Sequence, residues 1–282
     1  MTRSSQQSVQ EKAESDYVHG HSQKEIQRLV QQAALLSPIT ERLMRSVKIA
    51  PGMRVLDLGC GAGDVAMLAA EFVGETGTVV GIDWNQEVLA AATERVREYG
   101  LHQVHFERAM VESFFCEEGF DLVIGRYVLI HQSDPVRFLR AAANLVKPGG
   151  TIAFHEARVN QGFDSLPLVP LWRIIGDLLV TALVSAQPQR DVSDRLVECF
   201  AEAGLPQPAL FSETIIGAGP DSPLYGWAAE TLRSVLPQLT KAGIFLNESV
   251  GIETLERNLR EAVVAARSQI VMPAQICAWA SV

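Results

Sequence analysis

Val55-Leu-Asp-Leu-Gly-Cys-Gly-Ala-Gly-Asp64 decides how the rest of the chain is read. Arg54 to Leu58 has the make-up of a short buried strand, and Gly59, Gly61 and Gly63 that of a tight turn. From Asp64 onward, Val65, Leu68, Ala69 and Phe72 fall on one helical face. A strand, a glycine turn and a helix make a nucleotide pocket: the glycines admit close backbone approach, and the helix start offers unpaired N–H groups to an anion. A second apolar run, Thr78-Val-Val-Gly-Ile-Asp83, ends in a carboxylate, where a Rossmann-like fold holds ribose hydroxyls. A turn serving only chain reversal explains three alternating glycines poorly, because each costs conformational entropy on folding.

The turn alone leaves a nicotinamide or flavin site open. In those enzymes the third glycine falls three positions after the second, whereas Gly61 and Gly63 are two apart. The further motifs Gly81-Ile82-Asp83, Phe120-Asp121-Leu122-Val123 and Leu145-Val146-Lys147-Pro148-Gly149-Gly150 follow in order. Together with Leu56 to Gly63 they resemble the class I S-adenosylmethionine-dependent methyltransferases, and within them the small-molecule enzymes similar to the ubiquinone/menaquinone methyltransferases. The resemblance covers roughly residues 50–157. It implies S-adenosylmethionine as cofactor, S-adenosylhomocysteine as product, and an α/β fold. That fold is a Rossmann-like doubly wound seven-stranded sheet, its last strand antiparallel, with helical cap insertions.

Composition narrows the partners. A chain of 282 residues with 48% hydrophobic and 20% charged residues can bury a large core and fits a soluble globular protein. The net charge is −9 without a basic cluster, which argues against nucleic acid as substrate. Cys60, Cys116, Cys199 and Cys277 are too scattered for a disulfide framework or a zinc site, so a cytoplasmic setting is expected. Met1 to Glu14 lacks an apolar signal core, and Trp172 to Ser185 is too short, and too interrupted by charge, to span a bilayer. The expected partner is a small-molecule acceptor, and the sequence leaves a homodimer open.

Four segments are expected: an N-terminal helical cap (1–48), a cofactor-binding core (49–157), a cap insertion (158–190), and the end of the core sheet (191–282) with a helical insertion at about 221–265. Ser22-Gln-Lys-Glu25 is a capping box for a helix of some 14 residues, and Pro38 opens a second short helix. The core is expected as strand 53–58, helix 64–73, strand 78–83, helix 86–99, strands 103–107 and 120–125, helix 135–146 and strand 150–156. Residues 191–203 are expected as a helix, and 208–216 and 268–282 as one strand each.

Asp57 can hold the methionine ammonium of the cofactor or fix the glycine turn. Asp83 can accept from both ribose hydroxyls. Trp84 can lie on the adenine or pack between helices. In the resembling enzymes an acid after the third strand reads the adenine amino group, followed by a small residue whose N–H serves the ring. The matching positions are Met110 and Val111, so either Glu112 moves in or the backbone reads adenine alone. The fourth strand ends in Gly125-Arg126, where metal-dependent relatives carry acids, so Arg126 joins the cofactor side and no metal is expected.

His131 is the best single candidate for a general base, against a packing or capping role. His155, beside Glu156, is a second candidate that the resemblance points toward the mouth. Tyr17 is either a lid residue or an ordinary surface tyrosine, and His19 and His21 are expected on the surface. The expected reaction is methyl transfer to oxygen or nitrogen, less readily carbon, of a small, largely apolar or aromatic metabolite. Trp172, Tyr225 and Trp227 of the insertions are expected to hold it. The alternative is a cofactor-binding protein of the same fold that catalyses a non-methyl reaction such as cyclisation or isomerisation.

Overall fold

The computed structural model describes residues 23–186, 191–246 and 250–282. In chain order the first half contains α1 (Gln23–Ser46), β1 (Arg54–Leu58), α2 (Asp64–Val73), β2 (Thr78–Asp83), α3 (Gln86–Glu98), β3 (Val104–Arg108), β4 (Phe120–Arg126), α4 (Pro135–Ala143) and β5 (Val146–Ala157). There follow β6 (Asp164–Leu166), α5 (Pro170–Ala186), α6 (Leu196–Glu202), β7 (Ala209–Glu213) and β8 (Ile216–Ala218). The last elements are α7 (Leu224–Lys241), α8 (Leu255–Ala265), β9 (Gln269–Val271) and β10 (Gln275–Ser281).

The chain divides into two compact units. The larger holds residues 32–157, 191–213 and 275–282 and contains a seven-stranded sheet of order β3-β2-β1-β4-β5-β10-β7. From β3 to β5 the pairing is parallel, and β10 enters antiparallel between β5 and β7. The order reverses between β1 and β4, so ligands are expected beyond the carboxyl ends of these two strands. The helices start and stop on local signals. Asn85 accepts the N–H groups of Glu87 and Val88, Asp134 accepts that of Arg137 ahead of Pro135 in the first turn, and Gly74 ends α2 at φ 63°.

The second unit comprises the described residues within 1–31, 158–190 and 214–274. Helices α5, α7 and α8 pack together there beside a small antiparallel sheet of order β6-β9-β8.

Four sequence expectations need correction. The two N-terminal helices are one, α1, with Pro38 inside it. The apolar row Ala33, Leu36, Ile39, Leu43 and Met44 stays buried across the proline, so packing outweighs the one lost backbone bond. The single strand expected at 268–282 is two strands in different sheets, broken around Pro273, which cannot donate to a ladder. Likewise 208–216 divides into β7 and β8, and 191–203 into a 3-10 turn (Val192–Asp194) and the shorter α6. Ser22 of the capping box lies outside the described residues.

Candidate functional site

The glycine turn after β1 is built by left-handed backbone. Gly59, Gly61 and Gly63 have φ of 61°, 51° and 84°, a region L side chains rarely enter. A Cβ on Gly63 would stand 2.7 Å from the Phe106 ring, so the turn also sits directly on β3. Arg95 of α3 clamps it, donating to the carbonyl of Ala62 and, at 2.8 Å, to Asp64.

Asp83 links the two strand ends. One carboxylate oxygen accepts the N–H of Gly61 at 3.1 Å and the other that of Asn85 at 2.9 Å. Trp84 is partly buried, and its carbonyl accepts from Arg108 at 2.9 Å. Beyond β3, the carbonyl of Met110 accepts from the amides of Ser113 and Phe114, Val111 is buried, and Glu112 is exposed.

Asp57 is 1% exposed, and its Oδ2 has no hydrogen-bond partner among the described residues. Burial pushes its carboxyl up to about 8, against the pull of Arg126 and a bond from the Ala66 backbone. A buried, half-satisfied carboxylate beside a glycine turn is what an ammonium group would complete. Arg126, from the end of β4, is itself held below the usual guanidinium range by burial, with Asp64 and Asp57 acting the other way. Burial, and then the charges of Asp57 and Asp83, raise the Cys60 thiol, which therefore stays protonated.

The segment after β4 is fixed by a carboxylate. Glu156, fully buried, accepts from the backbone N–H groups of Val128 (3.0 Å), Leu129 (2.8 Å) and Ile130 (3.4 Å). Burial raises its carboxyl to about 7, although these three bonds lower it. His131 ends the 3-10 turn that Glu156 holds, and it is partly exposed.

His155 does not reach a mouth. It is 0% exposed, with Nδ1 3.0 Å from the Thr40 hydroxyl and Nε2 3.2 Å from Gln275 Oε1. Because the amide oxygen can only accept, Nε2 carries the proton and Nδ1 receives the hydroxyl. Burial, then the nearby Arg126, push the ring down to about 3, so it is neutral at working pH. Gln275 Oε1 also accepts from the Tyr127 phenol at 2.6 Å, and Tyr127 itself has φ 56°. A left-handed tyrosine at the end of the central strand is a strained position kept by its surroundings. Thr40, Tyr127 and Gln275 had no sequence signal, because their association depends on where α1 and β10 fall. Tyr17, His19 and His21 lie outside the described residues.

The geometry is a cation-seeking, glycine-lined cradle at the switch point of a doubly wound sheet. A sequence profile described as a methyltransferase domain matches residues 49–184. The chain is 33% identical over 165 residues to the aklanonic acid methyltransferase of a Streptomyces species, covering 58% of this chain and 73% of that one. This chain belongs to the class I S-adenosylmethionine-dependent methyltransferases. It is also 30% identical over 131 residues to the demethylmenaquinone methyltransferase of Listeria welshimeri, across 46% of this chain. That match spans 52%, about half, of the Listeria enzyme. Among solved structures, the YcgJ protein of Bacillus subtilis superposes with TM-score 0.53 at 18% identity, covering 86% of this chain and 97% of that one, a likeness of fold.

The methyltransferase cofactor fits the residues present. Asp57 Oδ2, without a partner among the described residues, would face its ammonium, and the glycine turn would cradle it. No group of three His, Cys, Asp or Glu suited to a metal occurs among the described residues, and none of their helices is long and apolar enough to cross a membrane.

Proposed function

We propose that this chain transfers a methyl group from S-adenosylmethionine to a small, ring-bearing and largely apolar metabolite, at oxygen or nitrogen. The observation that carries the reading is Oδ2 of Asp57, without a partner among the described residues, beside the left-handed glycine turn. The relatives named for a demethylmenaquinone and for aklanonic acid support a quinone-like or polyketide-like acceptor.

The cofactor supplies an activated methyl on a sulfonium, whose in-line displacement disperses positive charge. Alignment and exclusion of water are therefore the protein's main tasks. In this proposal Asp57 binds the ammonium, Asp83 accepts from the ribose, and Trp84 with Met110 and Val111 receives the adenine. Arg126 balances the neighbouring carboxylates. His131 takes the acceptor's proton, for it is partly exposed on a segment that Glu156 holds rigid, whereas His155 is enclosed and committed.

The test is product analysis with a panel of hydroxylated quinones and aromatic acids. S-adenosylhomocysteine should form in step with methylated acceptor, and His131→Ala should cut kcat while leaving cofactor affinity unchanged. Acceptor conversion without S-adenosylhomocysteine would refute methyl transfer.

A further inference from the structure

The order of the sheet fixes where an acceptor stands. With the cofactor held as proposed above, its adenine lies by β3, its ribose by Asp83 at the end of β2 and its methionine by Asp57 at the end of β1. The strand ends next in line are those of β4 and β5. A molecule approaching the cofactor's sulfur in line therefore comes in over Arg126, Tyr127 and the residues that follow them.

The register puts a cation at that place. Asp57 pairs with Ile124 and Leu58 with Gly125, so Arg126 lies beside Gly59, the first residue of the glycine turn. Residues two apart on a strand share a face, so Arg126 projects to the same side of the sheet as Ile124 and Asp57. Arg126 also pairs with His155 of β5. Thr40 of α1 ties this row together: its hydroxyl accepts from Arg126 Nη1 at 3.4 Å and lies 3.0 Å from His155 Nδ1. Thr40 and His155 are fully buried, whereas Arg126 is partly exposed. The arginine is thus tied down on one side and open on another.

Tyr127 is committed elsewhere. At φ 56° it turns the chain out of the strand, and its N–H goes to the carbonyl of His155 at 2.8 Å. Its ring stands edge-on to that of His155 at 5.8 Å, with the phenol on Gln275. Ring and phenol are held against β5 and β10, which leaves Arg126 as the charged group at the end of β4. The nearby carboxylates are engaged as well. Asp64 pairs with Arg95 at 2.8 Å, and the cofactor ammonium takes Asp57. A guanidinium so placed presents a planar fork of donors that matches a carboxylate or a phenolate.

We infer that Arg126 anchors an oxyanion of the acceptor, so that the methyl acceptor is an acid, a ring-bearing carboxylate or an acidic phenol, methylated on oxygen. The inference rests on the methyltransferase reading proposed above. In the transfer, an oxygen lone pair of the acceptor forms the new O–CH3 bond, and the electron pair of the broken C–S bond stays on sulfur. A carboxylate arrives ionised and gives up no proton, and a phenol passes its proton to His131.

The experiment is calorimetric titration of the full chain saturated with S-adenosylhomocysteine. The probes are 2-naphthoate against neutral 2-naphthamide, and 2-hydroxy-1,4-naphthoquinone against its neutral methyl ether. The wild type should bind at least one acid about tenfold more tightly than its neutral counterpart, and which one tells carboxylate from phenolate. Arg126→Met should erase that preference by weakening the acid alone. Arg126→Lys, which keeps the charge but not the fork, should retain part of it. Thr40→Val, which removes the acceptor of Arg126 Nη1, should weaken the acid about threefold. If Arg126→Met does not fold, the Lys and Val variants carry the test. No preference for either acid in the folded wild type, or a preference kept in full by the folded variants, would overturn the inference. Binding of S-adenosylhomocysteine itself keeps the two readings apart. A folded wild type that does not bind it refutes the methyltransferase proposal and this inference with it, whereas one that binds it and prefers no acid refutes only the acidic acceptor.

Discussion

Glu156 Oε1 accepts the backbone N–H of Leu129 at 2.8 Å, and through this bond a residue of β5 sets the course of the chain leaving β4. Replacing Glu156 by Gln keeps the shape but turns an amide NH2 toward a row of N–H donors. The variant should lose about 1–3 kcal/mol of stability in denaturant unfolding. Amide exchange at 128–130 should speed up, and kcat should fall because His131 is carried by that turn. Wild-type exchange rates in the variant would show that the carboxylate is not the brace.

Val128 occupies the space that a side chain on Gly125 would need, since a Cβ there would lie 2.5 Å from Val128 Cγ1. Gly125→Ala should therefore cost about 1–3 kcal/mol. Adding Val128→Ala should recover part of it, as a double-mutant cycle would read. Strict additivity of the two changes would contradict the contact.

Asp57 should make cofactor affinity depend on pH. Its carboxyl titrates at about 8 in the free protein and must be ionised to face an ammonium. Binding at pH 7 should therefore release close to one proton, and affinity should rise by up to about tenfold per pH unit between pH 6 and 8. Above that the cofactor's own amine, with an α-amino pKa of about 8, begins to lose its charge. Calorimetry in buffers of different ionisation enthalpy measures the proton count. Asp57→Asn should bind weakly and without pH dependence.

His155 and Glu156 oppose each other in stability against pH. The folded His155 titrates at about 3, below the ordinary value, so its contribution is present above about pH 6.5 and declines as pH falls, when the unfolded chain takes up the proton. The folded Glu156 titrates at about 7, so its contribution is present at low pH and lost as pH rises toward 7. Between about pH 4.5 and 6.5 the two slopes cancel. In His155→Gln only the Glu156 slope remains, so acidification from pH 6.5 to 5 should stabilise the variant relative to wild type by up to about 1.4 kcal/mol per pH unit. Parallel stability curves would mean that His155 is not buried neutral.

The parts of the fold legible in the sequence are those written locally. Val55 to Leu58, the alternating glycines and the caps Asn85 and Asp134 each specify their own conformation, and α2 and β2 fall where the pattern places them. What escaped depends on distant partners. Pro38 marks a boundary by local rules, but the buried row from Leu36 to Met44 carries the helix through it. Gln275 meets His155 only because β10 enters the sheet opposite β5, with Gln275 facing Ala157 in the register. His155 and Glu156, adjacent in sequence, are both buried and serve different networks, which no spacing in the chain reveals.

The central claim, that Asp57, the glycine turn and Asp83 form an S-adenosylmethionine site, is tested most directly by calorimetric titration of wild type and Asp83→Ala with S-adenosylmethionine and S-adenosylhomocysteine. The account predicts micromolar binding of both to the wild type and at least a tenfold loss in the variant, with no binding of nicotinamide cofactors. A folded wild type that binds neither compound, or a variant that binds them as tightly, would contradict it.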